Sequence, residues 1–141
     1  MGLRILKKFL LAIPARLSSK RLPDKILADI HGKPMLQHVL ERCSKVERDI
    51  EIVVCTDSDQ IVNLCKKLGY KYLLTSEGCN SGTERIASVI NKLVEIRYKI
   101  TIDSYEDKQF QEYLDSTVII NVQGDQPLIN PKIIEKMIDH F

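Results

Sequence analysis

Residues 9–16 read FLLAIPAR, an apolar run of five residues that meets a proline and then an arginine. A run this short cannot span a membrane, and it is typical of a strand that is buried on both faces. Strands of that kind lie in parallel sheets that helices cover on both sides. We therefore predict a first β-strand over Phe9 to Ile13 and place it at the centre of the sheet.

Three more apolar runs follow, and stretches of helical period separate them. The predicted further strands are Ile50 to Thr56, Tyr70 to Leu74 and Val118 to Val122. The predicted helices are Pro34 to about Ser44, Asp59 to Leu68 closed by Gly69, Thr83 to about Val94, and one that Asn130 caps and Pro131 begins. This alternation predicts an α/β fold, a Rossmann-like three-layer α/β/α sandwich with a mainly parallel sheet.

The stretch 95–116 fits this alternation least well. It is rich in charge, and its period suits either a solvated helix or a loop insertion. We expect it to be a surface insertion, away from any functional site.

Length and composition narrow the class of protein. The chain has 141 residues, which suits a single domain, and its formal net charge is +2. Its basic residues are spread along the chain, so we expect no nucleic-acid partner. The four cysteines have no metal-ligand spacing and are expected to be reduced thiols. With no membrane span, we expect a soluble, cytoplasmic protein without a membrane partner.

Polar clusters follow each predicted strand. Because ligands of open parallel sheets bind beyond the carboxyl ends of the strands, these clusters are the candidate site. If the strands are parallel, all four clusters share one edge of the sheet. The clusters are residues 14–25, 56–59, 76–85 and 123–127.

The first cluster is strongly cationic. Arg16, Arg21 and Lys25 offer fork-shaped and point-charge donors to phosphate oxygens. The alternative is a basic surface loop whose charges form salt bridges within the protein. Neither a GxxxxGK[ST] nor a GxGxxG motif occurs, so the cluster is neither a Walker A loop nor a dinucleotide fingerprint.

The fourth cluster contains a carboxylate, and the third contains the start of a helix. Asp125 follows a buried strand beside Gly124, where it suits either a Mg²⁺-nucleotide or a simple turn. In the third cluster, Ser81 or Thr83 can cap the following helix. Arg85 in its first turn opposes the helix dipole and should therefore have an anionic partner.

Taken together, these residues resemble one family, the 3-deoxy-manno-octulosonate cytidylyltransferases, also called CMP-Kdo synthetases. Five motifs carry the resemblance in the family's order, and the match as a whole covers nearly the entire chain outside 95–116. They are Ile13-Pro14-Ala15-Arg16 with Ser19 to Lys25, Gly32-Lys33-Pro34-Met35, Thr56-Asp57, Ser81-Gly82-Thr83-Glu84-Arg85, and Asn121-Val122-Gln123-Gly124-Asp125.

The resemblance implies a fold of the nucleotide-diphospho-sugar transferase type and a Mg²⁺-dependent reaction. CMP would pass from CTP to the anomeric hydroxyl of Kdo, an eight-carbon sugar acid, with release of pyrophosphate, for lipopolysaccharide biosynthesis. Arg16, Lys25 and Asp125 would be catalytic, and Asp125 would hold the metal. The implied nucleotide-binding residues are Ala15, Arg16, Arg21, Lys25, Ser81 and Gly82, and the implied sugar-acid-binding residues are Arg85 and Gln123.

The chain also departs from the family's pattern. Asp24 stands where a glycine is usual, and Gln126 replaces the usual glutamate, so either could weaken nucleotide binding. Family members are nearly twice as long, and the resemblance is to their N-terminal, nucleotide-binding half. An open strand edge and apolar face would then favour self-association, such as a homodimer, or marginal stability. The alternatives are a CTP-binding fragment without turnover and an enzyme for another sugar acid, sialic acid or an amino variant of Kdo.

Overall fold

The computed structural model describes residues 5–17 and 25–141. Within those ranges, no helix has the length and apolar character that crossing a bilayer requires. The elements are β1 (Lys8–Ala15), a 3₁₀ turn (Lys25–Leu27), β2 (Asp29–Ile30), β3 (Lys33–Pro34), α1 (Met35–Cys43), β4 (Ile50–Thr56), α2 (Asp59–Leu68), β5 (Lys71–Leu74), α3 (Gly82–Ser88), α4 (Ile90–Tyr98), α5 (Lys108–Asp115), β6 (Thr117–Asn121) and α6 (Pro131–Asp139).

The main sheet has the strand order β5-β4-β1-β6, and every pairing in it is parallel. β1 lies between β4 and β6, with Ile13 opposite Val54 and Leu11 opposite Ile120. The predicted central position of the first strand is confirmed. Because the chain continues from β1 to one side and reaches the other side only with β6, the strand order reverses between β1 and β6. That is the place where α/β sheets bind ligands.

Alternate side chains of β1 enter two separate apolar layers. Leu11, Ile13 and Ala15 pack with residues of α1, α2 and α6, while Leu10 and Ala12 pack with α3 and α4. All five are fully or almost fully buried. The two layers confirm the predicted α/β/α sandwich, and they explain why the strand is continuously apolar.

The helix ends match several of the predicted signals. The Asn130 side chain accepts from the Lys132 N–H at 2.9 Å, with Pro131 next in the chain. Gly69 ends α2 at a φ of 82°, a left-handed conformation that glycine adopts without strain. The predicted helix over Thr83 to Val94 is wrong in one respect, since it is two helices broken at Val89. Val89 and Ile90 are adjacent β-branched residues, which crowd the preceding turn of a helix.

The stretch 95–116 is only partly superficial, which corrects the expected surface insertion. Its first residues complete α4, and Arg97 there is 5% exposed. The Arg97 guanidinium donates to the carbonyl oxygens of Phe9 (2.7 Å) and Asp49 (3.1 Å) at the amino ends of β1 and β4. Phe110 on α5 is fully buried. This segment therefore supports the sheet at the edge opposite the candidate site.

All four cysteines are free and buried, as expected for reduced thiols. Cys43 and Cys65 belong to the layer of α1 and α2, whereas Cys55 points into the layer of α3 and α4. Burial raises the pKa of the Cys55 thiol to about 12 and the pKa values of the Cys43 and Cys65 thiols to about 11. These thiols therefore stay protonated at neutral pH.

Exposed apolar side chains lie along the outer face of α6 and at Phe141, two residues beyond its end. Ile133, Met137 and Phe141 recur every fourth residue and are 55%, 44% and 66% exposed. Among the described strands, β6 pairs with β1 and has no partner on its other side. A homodimer stays a prediction.

Arg48, in the loop between α1 and β4, holds α6 in place. Its guanidinium donates to both carboxylate oxygens of Asp139, at 2.9 and 2.7 Å, and lies 3.5 Å from Glu135. Glu135 also accepts from the Glu47 N–H at 3.0 Å. That backbone hydrogen bond lowers the pKa of Glu135, and the hydrogen bond from Arg48 lowers the pKa of Asp139.

These lowered pKa values predict acid-sensitive packing of α6. Groups whose pKa falls on folding stabilise the protein fully above their unfolded pKa values, here 4.5 and 3.8, and that stability is lost as the pH falls through the folded values. The double variant Glu135→Gln/Asp139→Asn should be less stable than wild type at pH 7 and should lose less stability on acidification. Urea midpoints at pH 7 and pH 3 test this, with Glu77→Gln, an exposed carboxylate, as control. If wild type and the double variant lost equal stability between pH 7 and pH 3, Glu135 and Asp139 would not be the source of the acid sensitivity.

Candidate active site at the carboxyl ends of the strands

The four predicted polar clusters lie at one edge of the sheet, and contacts join them. The first and fourth clusters meet through Lys25 and Asp125. The second and third meet through Asp57 and Arg85. Gly82, in the third cluster, packs against Pro14 in the first. The shared edge that the sequence predicts is therefore confirmed.

Pro14 lies where the ladder between β1 and β6 ends. The last paired residues are Ala12 and Asn121, after which the Val122 N–H donates to the Ala12 carbonyl at 3.0 Å. In a parallel strand, backbone groups two residues apart point to the same side, so Pro14 faces the side of β6 but lies beyond its end. A proline there removes no ladder hydrogen bond. A crevice between the two strands can therefore open at this residue.

Two glycines allow neighbouring segments to approach Pro14 closely. A Cβ atom on Gly82 would lie 2.9 Å from Cγ of Pro14. A Cβ atom on Gly124 would lie 3.1 Å from Cδ1 of Ile26 and 3.4 Å from the Pro14 carbonyl oxygen. Gly82 therefore needs to be glycine for space, whereas a Cβ atom on Gly124 would require the Ile26 side chain to move by a few tenths of an ångström. The start of α3 and the loop after β6 are held against the end of β1 as a result.

Ser81 is the N-cap of α3, which decides between the two predicted caps. Its hydroxyl accepts from the Glu84 N–H at 3.0 Å. The Glu84 carboxylate in turn accepts from the Asn80 N–H at 3.2 Å. This reciprocal arrangement is close to a capping box and fixes the Ser81-Gly82 segment at the crevice.

Lys25 and Asp125 form an ion pair across the crevice. Lys25 Nζ donates to Asp125 Oδ2 at 3.0 Å, and the two side chains are 41% and 40% exposed. A pair this exposed contributes little to stability, so its groups can be exchanged for ligands at small cost. The ammonium is available to a phosphate oxygen and the carboxylate to a cation. The intramolecular salt bridge that was the alternative for this loop is also present.

The other predicted nucleotide-binding residues differ in exposure. Arg16 is exposed directly after β1, while Ala15 is buried at the strand's end, opposite Thr56 of β4. Ser81 is exposed and Gly82 is half-buried. Arg21 and Asp24 lie outside the described residues.

The two predicted sugar-acid contacts also differ. Gln123 is exposed, and its side-chain amide donates to the Asn121 side chain at 3.2 Å. Gln126, one of the departures from the family pattern, accepts from the Gln123 N–H at 3.3 Å and so helps to shape this loop. Gln123 therefore presents its amide at the crevice.

Arg85, by contrast, is 3% exposed and has partners within the protein. Its guanidinium lies 3.7 Å from the Asp57 carboxylate and donates to the Thr75 hydroxyl and to the Ser76 carbonyl, the latter at 3.3 Å. The structure places Arg85 in the last turn of the seven-residue α3, where the helix dipole favours a cation. The predicted conflict with the dipole is therefore wrong, and it is the burial of the guanidinium that requires an anionic partner, which is Asp57. From sequence, Asp57 belongs to the second polar cluster and to the Thr56-Asp57 motif but has no assigned role, and Thr75 was missed, although the polar residues after β5 were the available signal.

The carboxylates at this edge are the possible ligands of the predicted magnesium ion. Within residues 5–17 and 25–141, no cluster of three or more His, Cys, Asp or Glu side chains could hold a metal alone. Mg²⁺ commonly binds through one or two carboxylates together with substrate phosphates and water. The half-exposed Asp125 fits a metal that arrives with a nucleotide, and it does not fit a permanent metal centre.

Comparisons with known proteins identify relatives of this chain. The family model described as cytidylyltransferase matches residues 10–141. The 3-deoxy-manno-octulosonate cytidylyltransferase of Haemophilus influenzae is 38% identical over 133 residues, which are 94% of this chain and 45% of that protein. The Francisella tularensis enzyme of the same name is 41% identical over 126 residues, 89% of this chain and 43% of that protein. The chain thus spans about half the length of the curated relatives it matches.

Two solved structures are also similar to this chain. A CMP:2-keto-3-deoxy-manno-octonic acid synthetase complexed with CTP superposes with a TM-score of 0.70 at 36% identity, covering 94% of this chain and 46% of that one. A cytidylyltransferase from Leptospira borgpetersenii gives a TM-score of 0.62 at 24% identity, covering 96% and 49%, and bears on the fold alone.

The contact between Gly82 and Pro14 makes a stability prediction. Gly82→Ala should lower the free energy of unfolding by about 1–3 kcal/mol, because its Cβ would overlap the proline ring and overpack this contact. Gly78→Ala is the matched control, since its Cβ would meet only Ser76 Oγ, at 3.5 Å, and should change stability by less than about 0.5 kcal/mol. Urea unfolding measures both. Equal effects of the two substitutions would contradict the close approach.

Proposed function

Since the chain belongs to the cytidylyltransferase family, we propose that it forms the CTP-binding half of an enzyme that activates Kdo. The reaction would convert CTP and 3-deoxy-D-manno-octulosonate into CMP-Kdo and pyrophosphate. Its product would be the activated sugar donor for lipopolysaccharide biosynthesis.

One observation carries the proposal: the Lys25–Asp125 pair at the reversal point of the strand order. A triphosphate with a divalent cation needs a cationic group and an oxygen ligand side by side. Lys25 and Asp125 meet that need, and their half-exposed pair exchanges readily for phosphate and metal. Arg16, exposed directly after β1, would act in the same crevice.

In the proposed reaction, the anomeric hydroxyl oxygen of Kdo attacks the α-phosphorus of CTP, and the hydroxyl proton passes to water. The bond from that phosphorus to the oxygen bridging to the β-phosphate breaks, and pyrophosphate leaves with its electron pair. Negative charge grows on the phosphate oxygens, so positioning and cations supply most of the catalysis. Arg16, Arg21 and Lys25 would hold these oxygens, and Arg16 and Lys25 would act as catalytic residues.

Asp125 would hold Mg²⁺ together with the nucleotide's phosphates. A bound divalent cation neutralises phosphate charge and acidifies an attacking hydroxyl. The role of Asp125 in this chain is to present a carboxylate beside Gly124, where the backbone lies close to Pro14.

The remaining predicted residues would select the substrates. Ala15, Ser81 and Gly82 would contact the nucleoside at the end of β1 and the start of α3. The exposed Gln123 amide suits a hydroxyl-rich sugar acid. A direct contact from Arg85 to the sugar carboxylate stays a prediction, because its guanidinium is turned towards Asp57 and Thr75.

The share of the relatives that the chain spans favours a second candidate function. At 45% of the Haemophilus protein's length, the chain could bind CTP without turning it over. A different sugar acid, such as sialic acid or amino-Kdo, is the third alternative. Relative rates with the three sugar acids distinguish it.

Pyrophosphate release from CTP, Kdo and Mg²⁺ tests the first candidate. We expect release that requires all three, with Lys25→Met and Asp125→Asn each lowering kcat/KM by about 100-fold or more. Lys71→Met and Glu51→Gln are matched controls, because those residues form a similar 2.9 Å ion pair near the amino ends of β4 and β5. Their activity should stay near that of wild type.

Calorimetric titration with CTP, and with ATP for comparison, separates the candidates. Binding that prefers CTP, with no pyrophosphate released, would establish the CTP-binding fragment. Full activity of Asp125→Asn would disprove the metal role given to that carboxylate. No preference for CTP by the folded chain would overturn both candidates.

A further inference from the structure

We propose that Asp57 is a positioning residue for nucleotide binding. Through Arg85 it fixes the orientation of α3 and hence the place of the Ser81-Gly82 segment in the crevice. The inference rests on the proposed function, in which that segment contacts the nucleoside of CTP.

The Arg85 side chain joins the ends of two strands to α3. The Thr75 N–H donates to the Thr56 carbonyl at 2.8 Å and so ties the end of β5 to the end of β4. Asp57 and Thr75 therefore leave the sheet next to each other. The Arg85 guanidinium meets both of them, together with the Ser76 carbonyl.

Because Arg85 and Asp57 are buried, their pairing is difficult to replace. Arg85 is 3% exposed and Asp57 is 18% exposed on their side chains. A guanidinium removed from water needs an anionic partner and filled donor sites, since an unpaired buried charge is costly. Without the Asp57 charge, Arg85 would turn towards solvent or draw α3 out of place.

The start of α3 has little room to accommodate such a shift. Gly82 lies three residues before Arg85 in the same helix, and its backbone packs against the Pro14 ring. A Cβ on Gly82 would also lie 3.5 Å from the side-chain nitrogen of Gln123. A small rotation of α3 therefore changes the spacing between the Ser81-Gly82 segment and the end of β1.

The test is calorimetric CTP binding to Asp57→Asn, with Asp115→Asn as the matched control. Asp115 is an exposed carboxylate at the end of α5, just before β6, at the sheet edge opposite the proposed site. We expect Asp57→Asn to raise the Kd for CTP about tenfold, and Asp115→Asn to leave it unchanged. Asp57→Glu, which restores the charge, should recover part of the affinity. Titrations are made where circular dichroism shows every variant fully folded, so a loss of stability alone cannot change Kd.

Thr75→Val provides a second variant that removes only the hydroxyl acceptor of Arg85. It should raise the Kd for CTP in the same direction by a smaller factor, and it decides the matter if Asp57→Asn does not fold. Unchanged CTP affinity in either folded variant would overturn the positioning role. Failure of the wild-type chain to prefer CTP over ATP would overturn the proposed function instead, so the two failures are distinguishable.

Discussion

The close packing around Pro14 is the constraint on which the candidate site depends. This residue ends the pairing of β1 with β6 without losing a hydrogen bond, because its side of the strand has no partner at that point. Gly82 and Gly124 then bring the start of α3 and the loop after β6 against it. The crevice thus follows from one imino acid in a central strand and two positions without side chains.

The two cation–carboxylate pairs at this edge differ in burial and therefore in what they can do. The Lys25–Asp125 pair is half-exposed and contributes little to the fold, so its partners are free to change. The Arg85–Asp57 pair is largely buried, and breaking it leaves a charge without solvent. The first pair therefore suits the exchange of ligands, and the second suits the permanent alignment of a helix.

The fold was more predictable from sequence than the site. A strand that is buried on both faces is continuously apolar in sequence, so the apolar runs at β1 and β4 identify these strands and show that they lie in the middle layer. Parallel topology alone then predicts that Lys25 and Asp125 share an edge, although 100 positions separate them. The partner of Arg85 could not be predicted, because the sequence does not show which strand end lies beside α3. The role of Arg97 could not be predicted either, because its carbonyl partners, on β1 and before β4, are distant in sequence.

The buried thiols give the molecule internal reporters of its own opening. Cys55 lies beneath α3 and α4, whereas Cys43 and Cys65 lie beneath the opposite layer. Because these thiols are covered and protonated in the native state, an alkylating reagent reaches each one only when its layer separates from the sheet. Labelling rates read by mass spectrometry therefore give the opening free energy of each face separately, without any introduced probe.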